Sequence, residues 1–219
     1  MIPLLLILIA AVAYFLGTLS SPLLLAKYVF HKDITPKRGV VGYNTIVRHF
    51  GRKWGLAVIG GDVVKAAIPA VLGSLLMRIP GQGFPVIGAL FAGFCVVLGD
   101  VFPFQRQFRG GKGVICLFTA LWIADWRAGV FVTGVFIAVL ALSQYLTLAS
   151  LAGCVTGMLA MWVFTDPTQC KGLAGLLVLF ATLFIVWRHM ASISKLLSHK
   201  EKKINWGRAP ESRLREDKF

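Results

Sequence analysis

Acidic residues are scarce in this chain of 219 residues: Asp and Glu together number 9, against 23 Lys and Arg. Charge of either sign is thin, at 15% of the residues, while apolar residues make up 57%, above the roughly 45–50% of ordinary soluble domains. The 16 Phe and 6 Trp exclude a disordered basic segment, and a soluble nucleic-acid binder would need more polar surface. The composition indicates a helical membrane protein whose partner is lipid and not nucleic acid.

Long stretches without charge predict the transmembrane segments. Residues 1–26 carry none, which is enough to cross a bilayer core of about 20 residues. A cleaved signal peptide is disfavoured because no basic residue precedes Lys27. Six further candidate spans follow at about 54–77, 84–103, 113–126, 128–146, 147–165 and 171–189. The pattern predicts an all-α membrane protein of about seven transmembrane helices, with only Asp125-Trp126-Arg127 interrupting the stretch 113–146.

Basic residues are distributed unevenly between the two sides of such a bundle. With seven spans, 19 of the 23 Lys and Arg residues fall on one side and three on the other, while Lys65 lies within a span. By the positive-inside rule the basic side is cytoplasmic, which places the N-terminus outside and the C-terminus in the cytoplasm. We therefore expect a membrane domain over 1–190 and a basic cytoplasmic tail over 191–219, either solubilising or resting on anionic headgroups.

Metal-binding patterns are missing. The four cysteines show no CxxC spacing and the four histidines are dispersed, so the sequence predicts neither a metal site nor a disulfide framework. Most of the cysteines, such as Cys95, Cys116 and Cys154, fall in apolar stretches, where cysteine acts as a small buried hydrophobe.

The segment Arg109-Gly110-Gly111-Lys112-Gly113 is the most distinctive local motif. Glycines allow a tight turn whose N–H groups approach an anion, the following helix adds its positive end, and Lys112 adds a full charge. The motif is not a Walker A loop, because Gly113 stands where Ser or Thr would follow the lysine. It predicts a phosphate-binding loop; the alternative is a positively flanked turn between two spans.

The first basic loop contains a second glycine turn, followed by residues able to form a short helix. Asn44 and Thr45 can cap that helix, whose Ile46 and Phe50 would face apolar surroundings. Arg48 would then either donate to a phosphate in bidentate fashion or snorkel from an interfacial helix.

Asp62 and Lys65 lie within a predicted span, three residues apart on one helical face. Counting from Trp54 at about 1.5 Å per residue, Lys65 lies roughly 16 Å into the span. Ionisable groups at this depth are costly and usually face a polar interior. The pair predicts either a polar pocket or an ion pair that joins two spans.

Further polar residues lie where predicted spans meet the cytoplasmic side. Asp100 precedes the glycine loop by ten residues and is either a proton acceptor there or a solvated acid. Thr147 and Ser150 place two hydroxyls at a span entrance, where helix capping is the ordinary role. His189 follows Arg188 at the end of the last span, where the helix dipole favours cations.

Taken in order, these motifs resemble the bacterial membrane acyltransferases that transfer a fatty acyl group from acyl phosphate to glycerol 3-phosphate. The resemblance runs over nearly the whole chain. It rests on Tyr14-Phe15-Leu16-Gly17, Gly61-Asp62-Val63-Val64-Lys65, Gly99-Asp100-Val101-Phe102-Pro103, Phe108-Arg109-Gly110-Gly111-Lys112-Gly113-Val114, Tyr145-Leu146-Thr147-Leu148-Ala149-Ser150 and Arg188-His189.

The resemblance implies a seven-span bundle in a bacterial cell membrane, with its active site at the cytoplasmic face and a role in phospholipid biosynthesis. Acyl phosphate and glycerol 3-phosphate would give lysophosphatidic acid and phosphate without a cofactor or a covalent acyl-enzyme. Asp100 and His189 are the candidates for an assisting base. The residues expected to bind substrate and phosphate or to order the polar interior are Arg48, Gly110, Gly111, Lys112, Gly113, Asn44, Thr45, Thr147, Ser150, Asp62 and Lys65.

Several positions depart from the family's pattern. Arg38 stands where the family has serine, Val40 where it has asparagine, and Asp100 where it has histidine. Ser192 and Lys195 replace asparagine and arginine. The departures keep two alternatives open: an acyltransferase with a different acceptor, and a non-catalytic relative or transporter that binds a phosphate-bearing lipid or solute.

Overall fold

The computed structural model describes residues 2–31, 42–78, 83–108, 110–166, 168 and 170–198. The regular structure within these ranges is helical, which confirms the predicted all-α class. The helices in the described ranges are α1 Ile2–Thr18, α2 Ser21–Tyr28, α3 Tyr43–Phe50, α4 Arg52–Leu76, α5 Pro85–Val101, a 3-10 helix Phe104–Arg106, α6 Val114–Ala124, α7 Trp126–Ser143, α8 Leu146–Phe164 and α9 Lys171–Leu197.

Five of the described helices are long and apolar enough to cross a membrane, and the bent pair of α1 and α2 makes six. Together with the shorter α6, they coincide with the seven predicted segments, so the multi-pass architecture is confirmed while its orientation stays a prediction. Helix α9 continues to Leu197, beyond the predicted domain boundary at 190. Most of the predicted tail, from residue 199 onwards, lies outside the described residues.

The first predicted span is not one continuous helix. Helices α1 and α2 meet at an angle of 52°, and Pro22 in the first turn of α2 has no N–H to donate back to α1. Cations bind carbonyls released at the break: Lys65 Nζ donates to the Leu19 carbonyl at 3.1 Å, and Arg106 donates to that of Thr18 at 3.4 Å. The sequence did not predict this break, because an uncharged segment gives no hydropathy signal there.

Helix α6 is shorter than the span predicted there. Its 11 residues rise about 16 Å, against roughly 30 Å for a bilayer core. It runs antiparallel to α7, since Trp122 Nε1 donates to Thr133 Oγ1 at 2.9 Å and Phe118 meets Phe136 edge to face. The two helices meet at Asp125, and α7 has 18 residues. The start of α6 therefore lies about 10 Å deeper in the bundle than the end of α7.

Helix α5 is the central helix of the described bundle. Of its most apolar stretch, 67% of the residues are buried, against 22–44% for the other long helices. Glycines allow its neighbours to approach backbone to backbone: a Cβ on Gly99 would lie 2.9 Å from the Cα of Gly17 in α1. A Cβ on Gly88 would lie 2.7 Å from the carbonyl carbon of Gly73 in α4. Helices α1 and α4 are thereby held directly against α5.

Helix α3 is the short amphipathic helix expected in the first basic loop, but it begins differently. Gly42 is its N-cap, so Asn44 and Thr45 lie in the first turn and do not cap the helix. The apolar face is as predicted: Ile46 is buried, and the ring of Phe50 stacks on that of Phe30 with centroids 3.9 Å apart.

Candidate active site

Lys65 is the centre of a buried polar network. An ammonium group has three N–H donors, and three acceptors surround this one: Asp62 Oδ1 at 2.7 Å, Asp100 Oδ1 at 2.6 Å and the Leu19 carbonyl at 3.1 Å. Ser21 donates to Asp62 Oδ1 at 2.8 Å, and Lys65 is only 6% exposed. The predicted ion pair is thus confirmed, and its network joins α4 to α5, to the break after α1 and to α2.

Asp100 extends this network from α5 to the glycine loop. Its Oδ2 accepts the N–H of Gly113 at 3.0 Å, and its main-chain carbonyl accepts the N–H of Gly111 at 2.7 Å. Its Oδ1 is paired with Lys65, and the side chain is 12% exposed. Asp100 is therefore not a solvated acid, because each of its three oxygens bonds to a neighbouring element.

The loop packs this closely because of its glycines. A Cβ on Gly110 would lie 2.6 Å from the Val101 carbonyl oxygen, and one on Gly111 would lie 3.0 Å from the Asp100 carboxyl carbon. Gly113 has a φ of 74°, in the left-handed region that favours glycine. The N–H groups of Gly111 and Gly113, expected to bind phosphate, donate to Asp100 in this structure. Their role toward phosphate stays a prediction.

The end of α9 holds the loop from the other side. Arg188 donates to the carbonyls of Gly110 at 2.6 Å and Gly111 at 3.3 Å, and Lys112 Nζ donates to Ser192 Oγ at 3.1 Å. From the sequence, Arg188 was explained by the helix dipole and placed in a motif shared with the family, and no contact with the glycine loop was predicted for Arg188 or Ser192. Their four-residue spacing, which places both on one helical face, was the available signal.

His189 points inward beside these residues. It is 1% exposed, and its Nδ1 lies 2.8 Å from the Ile185 carbonyl. Because a carbonyl only accepts hydrogen bonds, Nδ1 carries the proton and Nε2 is the nitrogen able to accept one. This tautomer is compatible with the predicted role as a base.

Of the other predicted site residues, Thr147 and Ser150 lie at the same end of the bundle, in the first turns of α8. They are 2% and 5% exposed, and Ser150 Oγ donates to the Leu146 carbonyl of its own helix. Thr45 is half-buried on α3. The side chains of Asn44 and Arg48, and the whole of Arg38, Val40 and Arg109, lie outside the described residues.

Cations outnumber acids in this region. The described side chains that meet here are the cations Lys65, Arg106, Lys112 and Arg188 and the carboxylates Asp62 and Asp100. Both arginines interact electrostatically with Asp100. The excess of two positive charges matches the charge of a phosphate dianion.

Comparison with known proteins decides the family. A family model described as glycerol-3-phosphate acyltransferase matches residues 7–199. The chain belongs to this family. A glycerol-3-phosphate acyltransferase of Clostridioides difficile is 33% identical over 204 residues, which cover 90% of this chain and 95% of that protein. Another from Geobacillus kaustophilus is 32% identical over 206 residues, which cover 91% and 96%. This glycerol-3-phosphate acyltransferase family member is a membrane acyltransferase, as the resemblance implied.

Two solved structures share the fold of this acyltransferase. The glycerol 3-phosphate form of PlsY, an integral membrane glycerol 3-phosphate acyltransferase, has a TM-score of 0.77 at 24% identity, covering 91% of this chain and 96% of that one. Its lysophosphatidic acid form has a TM-score of 0.76. At this identity the likeness establishes the common helical architecture.

Proposed function

We propose that this acyltransferase moves a fatty acyl group from acyl phosphate to glycerol 3-phosphate at the end of the bundle where the glycine loop meets α9. The placement of Lys112 carries the proposal. The loop is bonded to Asp100 on one side and to Arg188 on the other, and the Lys112 side chain between them is exposed. A positioned cation in a region of excess positive charge is suited to binding phosphate oxygens.

In the proposed reaction, the hydroxyl oxygen of glycerol 3-phosphate attacks the carbonyl carbon of the acyl group. A new ester C–O bond forms, the bond from that carbon to the phosphate oxygen breaks, and phosphate leaves with the electron pair. The hydroxyl proton passes to a phosphate oxygen of the substrates. Lysophosphatidic acid and phosphate are the products, and the balance requires neither a cofactor nor an acyl-enzyme.

In this proposal, some side chains bind phosphate and others hold the helices around the site. Lys112 and Arg48 bind phosphate oxygens, while the Lys65 network holds α4 and α5 around the site. The recessed start of α6 brings the loop toward the membrane-embedded acyl chain. Of the two predicted bases, His189 is the better placed to assist, because the oxygens of Asp100 already bond to the protein.

An acyl-transfer assay tests the proposal. Purified protein in detergent, given palmitoyl phosphate and glycerol 3-phosphate, is expected to release phosphate and to form lysophosphatidic acid detectable by mass spectrometry. Lys112→Ala is expected to lower kcat/KM by about 10- to 100-fold, the loss of a charged hydrogen bond. Lys171→Ala is the matched control, since Lys171 lies at the opposite end of α9 over the Trp162 ring.

Each outcome of this assay has a meaning. Wild-type protein that forms no product refutes the reaction, whereas full activity in Lys112→Ala refutes the assigned phosphate site. Competition with other phosphorylated alcohols tests the alternative acceptor raised by Arg38 and Val40: glycerol 3-phosphate is expected to be preferred.

We also propose that the site faces the cytoplasm of a bacterial inner membrane, as the positive-inside rule predicts. Cys170 is exposed and precedes α9, at the end of the bundle opposite the site. A membrane-impermeant maleimide applied to intact cells is expected to label Cys170, and Cys170→Ser is expected to abolish the label. Labelling that appears only after the cells are opened would reverse the orientation.

A further inference from the structure

We propose that Asp100 is a positioning residue, which sets the glycine loop and hence Lys112 by linking it to Lys65. This inference rests on the proposed function, since it assigns Asp100 a part in phosphate binding without proton transfer. It follows from the contacts of one residue. Asp100 reaches Lys65 with Oδ1, Gly113 with Oδ2 and Gly111 with its carbonyl oxygen.

These contacts pin the residues on both sides of Lys112. The N–H group of Gly113 donates to Asp100, and the carbonyl of Gly111 accepts from Arg188, so neither peptide unit flanking Lys112 can rotate without breaking a hydrogen bond. The N–H group of Gly111, which also donates to Asp100, fixes the preceding unit. Arg188 holds the carbonyls that face the other way. The direction in which Lys112 leaves the backbone is therefore set by the loop's attachment to α5 and α9.

Lys65 orients the Asp100 carboxylate that holds the glycine loop in place. The carboxylate lies between an ammonium group on Oδ1 and an N–H group on Oδ2, so both of its oxygens must act as acceptors at once. A carboxylate meets this requirement and an amide does not, because an amide has one acceptor and one donor end. A proton on the carboxylate would likewise weaken its bond to Lys65. The two contacts therefore require a side chain with two acceptor oxygens, which aspartate has.

Two variants separate positioning from proton transfer. In Asp100→Asn, either Lys65 or the Gly113 N–H faces an N–H₂ group, the loop shifts, and kcat/KM is expected to fall by about 10²-fold, mainly through a higher KM for glycerol 3-phosphate. In the double variant Lys65→Gln/Asp100→Asn, the glutamine oxygen accepts from the introduced amide, whose oxygen again accepts from Gly113. This variant is expected to recover about tenfold of the loss.

Asp125→Asn is the matched control. It makes the same chemical change at a side chain that is also 12% exposed, at the opposite end of α6. It is expected to retain the activity of the wild type. Size-exclusion profiles of the variants establish that the protein compared is folded. If Asp100→Asn yields no monodisperse protein, the double variant decides: activity within about tenfold of the wild type supports positioning.

The alternative role of Asp100 as a base predicts different kinetics. No amide accepts the proton, so the double variant would remain as inactive as Asp100→Asn, with kcat lowered at an unchanged KM and the acid limb of the pH profile lost. That result overturns the proposal.

Hydrogen exchange gives a readout that does not depend on turnover. Amides in the peptide spanning Gly111 and Gly113 are expected to exchange faster in Asp100→Asn, to regain protection in the double variant and to stay unchanged in Asp125→Asn. Unchanged exchange in Asp100→Asn would refute positioning even if the wild type proved inactive with acyl phosphate. A failed acyl-transfer assay with the expected exchange pattern would instead count against the proposed reaction alone.

Discussion

Replacing Gly99 by alanine places a methyl group where α1 and α5 touch backbone to backbone. The added Cβ would contact the Tyr14 carbonyl oxygen and would lie 2.9 Å from the Cα and 3.0 Å from the carbonyl carbon of Gly17. All three atoms belong to the main chain, so no side chain can rotate to make room. Relief requires the two helices to move apart.

The magnitude follows from two opposing contributions. Overpacking of this kind costs about 1–3 kcal/mol, while alanine gains about 1 kcal/mol over glycine within a helix. Gly134 in α7 provides the matched control, because a Cβ there meets no atom within 4 Å. The helix-propensity gain is common to Gly99→Ala and Gly134→Ala. The difference between the two variants should therefore be the packing cost alone, about 1–3 kcal/mol, with Gly99→Ala the less stable.

The native cysteines provide the assay. Cys95, Cys116 and Cys154 are buried, in agreement with the sequence, and Cys170 is exposed. In a Cys170→Ser background, a thiol-reactive fluorescent dye therefore reports unfolding during a thermal ramp in detergent. At about 2–4 °C per kcal/mol for a chain of this size, Gly99→Ala should melt roughly 2–12 °C below Gly134→Ala. Equal melting temperatures would refute the backbone-contact argument.

Three further variants test individual contacts. Arg188→Lys should raise the KM for glycerol 3-phosphate about tenfold, because an ammonium group does not reproduce the two-pronged contact with the loop carbonyls; an unchanged KM would exclude Arg188 from holding the loop. Tyr14→Phe removes the 2.7 Å hydrogen bond to the Phe102 carbonyl and should cost about 1 kcal/mol in the same thermal assay, with no loss if that bond forms equally in the unfolded chain. Burial raises the pKa of Asp125, but the hydrogen bonds and charge of Arg127 outweigh it and hold the pKa below its ordinary value. Asp125 therefore stabilises the fold above the ordinary pKa of aspartate, and this contribution is lost as pH falls through the lowered pKa. Asp125→Ala should lower stability by about 1 kcal/mol near pH 7 and should flatten the decline toward about pH 3; an equally steep decline would contradict this linkage.

The accuracy of prediction differed between neighbouring parts of the chain for physical reasons. Asp62 and Lys65 were paired from their spacing alone, because residues three apart on a helix necessarily share a face. The break after Thr18 was missed, since what stabilises it is Lys65, distant in sequence. A contact between residues close in sequence can be predicted from the local pattern. Hydrogen bonds that a distant helix makes to a helix end cannot.

The site shows the same division. The glycines and Lys112 were recognised by composition, but the attachment of their loop to Asp100 and Arg188 depends on how α5 and α9 come together. Spacing along the chain predicts that Asp100 is near the loop and does not predict that it accepts two of the loop's N–H groups. The N–H groups of Gly111 and Gly113 were therefore expected to bind phosphate, whereas in the structure they donate to Asp100.

The length of α6 determines how deep in the bundle the glycine loop lies. Each residue inserted or removed would move its start by about 1.5 Å and turn it by about 100°, so depth and facing change together. A whole added turn would restore the facing but raise the loop by about 5.4 Å toward the aqueous side. In the proposed reaction, the number of residues between Gly113 and Asp125 would thus set the depth in the bilayer at which glycerol 3-phosphate meets the acyl chain.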